Sequence, residues 1–164
     1  PLDVQNSPLH PAPTCVQDAL DLMMDEDKIF GVTDPCTQCG QGSELDPRMW
    51  VQKYDILEMP RVLMILLKRW SDEQKANLEC VRADELIQYQ NHFYKLCATV
   101  IHLGSSPRSG HYVAVVRQSN EWWLYDDTLQ IPASEEQKTT MQSNYYGDRN
   151  MKSYVLLYEM LGNV

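Results

Sequence analysis

Two side chains able to share a proton stand in the stretch that runs from Gly110-His111-Tyr112 to Trp122-Trp123-Leu124-Tyr125-Asp126-Asp127. His111 opens an alternating, valine-rich run to Arg117, and Asp126 closes a short aromatic run from Glu121. Ser119-Asn120 between them reads as the tight turn of a hairpin. Antiparallel pairing would set the start of the first run beside the end of the second, and so an imidazole beside a carboxylate. A general base needs that arrangement: the carboxylate fixes the ring's tautomer and orientation and stabilises the imidazolium that forms. Gly104-Ser105-Ser106-Pro107-Arg108-Ser109-Gly110 reads as a flexible loop that leaves the imidazole open beside a cleft. On spacing alone a plainer reading stays open. A histidine before a strand is usually a surface or core residue, and an Asp-Asp pair after a strand is usually a turn.

The elements that must position this pair follow from periodicity. Residues 1–13 hold four prolines and read as an extended lead-in. Thr14 opens a helix, with Gln17 at capping-box spacing. Val16, Ala19, Leu20, Met23 and Met24 fall on one face of it, and Gly31 fits a stop signal. Residues 31–48 read as turns and contain Cys36-Thr37-Gln38-Cys39. Strand character spans Trp50–Leu57 and Arg61–Trp70. The second run is apolar on both faces and predicts a central, buried strand preceded by Pro60. Residues 71–92 read as a polar connection with a short strand near Leu78–Val81. Phe93–Leu103 is β-prone, Ser134–Met141 reads as a short polar helix, and Ser153–Tyr158 as a last strand.

Composition narrows the function classes. The 164 residues are 43% hydrophobic and carry a formal net charge of −9, enough for one domain or a large piece of one. An acidic balance argues against nucleic acid and anionic membranes, which need a basic face, and suits a basic partner or plain solvation. No run of about 18 apolar residues predicts a transmembrane helix. Pro1-Leu2-Asp3-Val4 has no basic or apolar signal region and no Met, so the chain reads as cut from something longer. Five cysteines without a regular framework predict a reducing compartment, cytoplasmic or nuclear.

Five co-linear motifs, from about residue 14 to 160, resemble the ubiquitin-specific protease family. Ser109-Gly110-His111-Tyr112-Val113-Ala114 with Trp122–Asp127 is similar to its histidine box. Met59-Pro60-Arg61-Val62-Leu63-Met64-Ile65-Leu66-Leu67-Lys68-Arg69-Trp70 resembles its Pro-x-x-Leu strand ending in Leu-Lys-Arg-aromatic. Tyr94–Gly104 resembles the strand before its active-site loop, and Ser153–Glu159 its closing strand. Val16–Met23 with Cys36-x-x-Cys39 resembles the segment leading into the second half of its fingers.

The resemblance implies an α+β, papain-like cysteine peptidase fold. It would be represented by the sheet-rich C-terminal palm subdomain (51–160) and part of the fingers (14–50). It implies a cysteine-type deubiquitinase that hydrolyses the bond after the C-terminal glycine of ubiquitin, acting on ubiquitinated proteins. His111 would be general base and acid, Asp126 its orienting partner, and Asp127 a hydrogen-bonding support. Gly104, Ser109, Gly110 and Tyr112 would border the channel for the ubiquitin tail. No cofactor is implied for catalysis. Cys36 and Cys39 would give half of a structural four-thiolate zinc site, the other pair lying upstream.

The family's nucleophile box, Gly-x-Thr-Cys-x-x-Asn, does not occur in these 164 residues. Thr14-Cys15 matches it for two residues only, within the predicted helix, and Cys15 reads as a packing residue. A Cys–His enzyme without its thiol forms no thioester. The chain alone is therefore expected to be inactive. It is either a piece of an active enzyme or a catalytically inactive ubiquitin-binding or scaffolding module.

Overall fold

Alternating apolar residues build most of the described residues into sheet, and an amphipathic helix packs against it. The computed structural model describes residues 13–24, 27–29, 50–52, 56–69, 81–106, 108–135, 138 and 151–162. Helix α1 spans Val16–Met24. Strands β1 (Asp27–Ile29) and β2 (Trp50–Gln52) form an antiparallel pair. The main sheet comprises β3 (Val62–Leu66), β4 (Leu86–Tyr89), β5 (His92–Ser106), β6 (Ser109–Gln118), β7 (Glu121–Asp126), β8 (Leu129–Pro132) and β9 (Met151–Met160). Its order is β3-β9-β5-β6-β7-β8, with β4 pairing β5, and every neighbouring pair is antiparallel.

Two-residue turns join the hairpins β4–β5, β6–β7 and β7–β8. Gln90, Ser119 and Asp127, the first residue of each turn, all take positive φ. Tight hairpins need that geometry, and it matches the right-handed twist of the strands. The Ser119-Asn120 turn lies where the sequence predicts it. Strands β5 and β6 run further than their apolar patterns suggest, so the expected loop Gly104–Gly110 is mostly strand. Ser106 pairs with Ser109 after a register shift that begins at Leu103.

The helical face expected from spacing is the one buried. Val16, Ala19 and Leu20 join Ile65, Leu67, Val81, Ile87, Tyr94, Leu96, Leu156 and Tyr158 in one cluster, with Met23 and Met24 packed against it. The helix start differs from the capping box. Cys15 accepts the first helical bond, from the Ala19 amide at 3.1 Å. Thr14 gives its hydroxyl proton to Asp18 at 2.7 Å. The Gln17 amide donates instead to Asp84 Oδ2 at 3.0 Å, so a carboxylate from the β4 side serves the free N–H.

Strand β3 is an edge strand of the described sheet, not a central one: Val62 is 44% exposed and Met64 68%. Of this strand Ile65 is buried in the core with Leu63 packed against it, while Val62 and Met64, alternating with them, are exposed. The following residues bind back onto β9. The Leu67 amide donates to the Tyr154 carbonyl at 3.0 Å, and Arg69 Nε to the Ser153 carbonyl at 3.2 Å. Ser134 accepts from the Lys138 amide at 3.0 Å, one helical turn in the predicted place. The short strand expected at Leu78–Val81 falls largely outside the described residues, as do Gly31 and the segment with Cys36 and Cys39.

Candidate active site

Period-two alternation puts His111, Val113 and Val115 on one face of β6. Across β5 they face Leu103, Ile101 and Thr99. Val113, Val115, Ile101, Leu124 and Ala133 make a second buried cluster, with Leu103 and Trp122 against it. His111 continues this row beyond its apolar end. The β6–β7 ladder pairs Ala114 with Tyr125 and Val115 with Leu124. By continuation Asp126 falls opposite Val113, on the same face as His111 and diagonal to it. The pair is therefore a diagonal one rather than directly opposed, within reach of long side chains.

The geometry is that of a hydrogen-bonded acid–base pair. His111 Nε2 lies 2.5 Å from Asp126 Oδ1. The side chains are 45% and 37% exposed, so the ring remains open to solvent and to reactants. The hydrogen bond to Asp126 raises the His111 pKa above its ordinary value, partial desolvation opposes this, and the charges of Asp126 and Asp127 add to it. Engaging Nε2 leaves Nδ1 as the ring atom that can take a proton. Asp127 follows in the β7–β8 turn at φ 49°, a conformation Asp tolerates better than most residues. One donor atom each from His111, Asp126 and Asp127 lie within 4.8 Å of one another.

The four residues read as bordering a channel divide. Gly104, Ser109 and Gly110 cluster where β5 meets β6, next to His111. Tyr112 points to the opposite face. It is 48% exposed and stacks at 4.8 Å on His102, with Tyr154 at 6.1 Å beyond. His102 itself is 1% exposed, a degree of burial that its sequence neighbours do not signal. Trp122 is half-buried against both clusters and lies under the Arg117 guanidinium at 5.8 Å, in keeping with a core role.

Cys15 is 7% exposed in the α1 cluster, and burial pushes its thiol pKa up. It has the environment of an inert, structural cysteine. Cys97 is similar: its thiol donates to the Leu157 carbonyl at 3.3 Å, and burial raises its pKa. Sequence reasoning also missed β8, which holds the far side of β7 and fixes the Asp126–Leu129 pair. The β7-like alternation of Leu129-Gln130-Ile131 was the available signal, and Pro132 obscured it.

The profile of the family described as ubiquitin carboxyl-terminal hydrolase matches residues 13–158. Ubiquitin carboxyl-terminal hydrolase 4 of Arabidopsis thaliana is 32% identical over 151 residues, covering 84% of this chain and 39% of its own. Ubiquitin carboxyl-terminal hydrolase creB of Emericella nidulans is 28% identical over 141 residues, covering 76% of this chain and 17% of its own. The structure of a yeast SAGA DUB module superposes with a TM-score of 0.73 at 16% identity, over 99% of this chain and 35% of that one. A SAGA DUB module bound to monoubiquitin gives 0.70 at 18% identity, over 99% and 35%. Likeness at such identities speaks for the fold, which is the expected α+β, papain-like palm. The chain spans well under half the length of these relatives. With the profile matching most of its residues, the chain belongs to the ubiquitin carboxyl-terminal hydrolase family.

Proposed function

We propose that this chain supplies the base side of a cysteine-type deubiquitinase catalytic domain, with ubiquitin and ubiquitinated proteins as its partners. The observation that carries the reading is the solvent-open His111–Asp126 pair on one face of a hairpin. The attacking thiol would come from a Gly-x-Thr-Cys box outside these 164 residues.

His111 Nδ1 takes the thiol proton, and the thiolate attacks the carbonyl carbon of ubiquitin's terminal glycine. As the C–N bond breaks, His111 returns that proton to the leaving amine. Water then attacks the thioester, His111 takes its proton, and the thiol and the ubiquitin carboxyl group are released. Asp126 holds the ring and stabilises its charged form at each transfer. Asp127 supports the site by hydrogen bonding, and Gly104, Ser109 and Gly110 border the tail channel. Catalysis calls on no cofactor. Cys36 and Cys39, outside the described residues, have the spacing for two of the four thiolates of a structural zinc site. A second reading, a noncatalytic ubiquitin-binding or scaffolding module, is favoured by the burial of Cys15 and the raised pKa of Cys97, which leave no activated thiol among the described residues.

The test uses a ubiquitin derivative with a C-terminal electrophile. The 164-residue chain alone should form no adduct, and labelling of Cys15 would contradict the assignment. Completing the domain with a segment bearing the nucleophile box should restore labelling there and cleavage of a ubiquitin–fluorophore substrate. In that domain His111→Ala should lower kcat/KM on the order of 10³-fold. Near-normal cleavage would remove the base assignment, and ubiquitin binding without cleavage by the completed domain would favour the noncatalytic module.

A further inference from the structure

We propose that His102 is a positioning residue for His111: its buried ring braces the backbone on both sides of the base. The proposal rests on His111 being that base. In the β5–β6 ladder His102 pairs with Tyr112 and Leu103 with His111. Alternation sends the His102 ring to the face opposite the His111 imidazole, beneath the strand that carries it. There the ring touches both chain neighbours of His111. On one side it stacks on Tyr112, with centroids 4.8 Å apart and planes tilted by 49°. On the other it lies against Gly110, so closely that a Cβ there would overlap His102 Nε2 and sit 2.6 Å from the Leu103 carbonyl oxygen. Gly104 completes the recess. Its Cβ would stand 3.0 Å from His102 Cε1 and 2.6 Å from the Ser109 carbonyl oxygen.

These contacts give the two glycines a second meaning. As borders of a channel they would need to be small on the substrate side. Here they are small because an imidazole and two backbone carbonyls occupy the space a side chain would take. The brace also sits where it is needed. Regular pairing ends at Leu103–His111, and the register shifts before Ser106 pairs with Ser109. His111 is the last residue of the regular β5–β6 ladder, and on the β7 side pairing begins only at Ala114–Tyr125. The buried ring against positions 110 and 112 adds a contact on each side of it. Catalytic placement is steep in distance: a shift of about 1 Å can cost on the order of 10²-fold in rate.

The test follows the His111 ring by NMR in the 164-residue chain, which reads its position independently of any turnover. In the parent chain the His111 midpoint should lie above the ordinary value of about 6.5, with a slowly exchanging Nε2 proton. His102→Ala should return the midpoint toward 6.5 and speed that exchange. His102→Asn, with a smaller planar group, should give an intermediate shift. Leu20→Ala, in the other cluster, should lower the melting temperature and leave the His111 signals in place. Unmoved His111 signals in either His102 variant would overturn the proposal, and so would an equal movement in Leu20→Ala. In a completed, active domain, His102→Ala should lower kcat about tenfold or more and leave KM within about twofold, the pattern of lost transition-state placement. A loss confined to KM would also overturn it. Failure of the completed domain to cleave at all would count against the deubiquitinase reading and leave the NMR result standing.

Discussion

At the α1 end of the sheet, polar groups close on one another across long stretches of sequence, whereas at the β6–β7 end they stay open to solvent. Asp84 takes the Gln17 amide and the Arg82 guanidinium, and the Asp84 carbonyl accepts the Tyr158 hydroxyl at 2.9 Å. Gln17 exchanges hydrogen bonds with the Gln88 backbone, accepting at 2.7 Å and donating at 2.9 Å. Beneath lies the larger apolar cluster. The second cluster is smaller, and beyond it His111 and Asp126 bond to each other with both side chains partly exposed. The same sheet thus spends its polar groups in two ways. At one end they tie the helix to the sheet; at the other they pair an imidazole with a carboxylate.

Substitutions should separate the two ends, and the largest effect belongs to the open one. Asp126→Asn should lower kcat of a completed domain by about 10²-fold or more in steady-state assays, with little change in melting temperature. It should also remove a pH dependence. The His111 pKa is raised in the folded chain, so the pair's contribution to stability is complete below the ordinary imidazole pKa. It is lost as pH rises through the raised one. Asp126→Asn should flatten that limb in a series of melts across neutral pH. A fall in stability as large as a core deletion would erase the distinction between the ends.

At the closed end, Leu20→Ala removes a side chain that is 2% exposed and should cost about 3 kcal/mol in denaturant unfolding, with the His111 resonances unmoved. Asp84→Ala should cost about 1 kcal/mol, the worth of a helix cap, and fray the first turn of α1 in amide hydrogen exchange. An Asp84 variant that disturbed His111 would show that the two ends are coupled.

What the sequence made legible was local. The β6–β7 hairpin, its Ser119-Asn120 turn and the face of α1 all follow from spacing and turn chemistry within a few residues. His111 and Asp126 were readable because one tight turn joins their strands. The helix cap was not, because the carboxylate serving the Gln17 amide comes from Asp84, far along the chain. Nor was the edge position of β3, since an apolar run shows what a strand can cover and not how many neighbours it has. His102, ahead of Leu103-Gly104, reads as structural from the family resemblance, but the sequence does not name its partners. Its burial depends on two glycines and a tyrosine that only the β5–β6 register brings over it.

The place of β9 bears on time as well as on shape. Strands β4 to β8 pair through short connections and can form as each leaves the preceding turn. Among the described residues strand β3 pairs with β9 alone, which inserts between β3 and β5 from much later in the chain. Until β9 is made and docks, β3 has no partner among the described strands and one flank of β5 stays open. Such late, distant closure slows folding and leaves strand edges free to find other chains. During synthesis the β6–β7 hairpin would be finished early, and the strand that locks the sheet behind it would arrive last among the described elements.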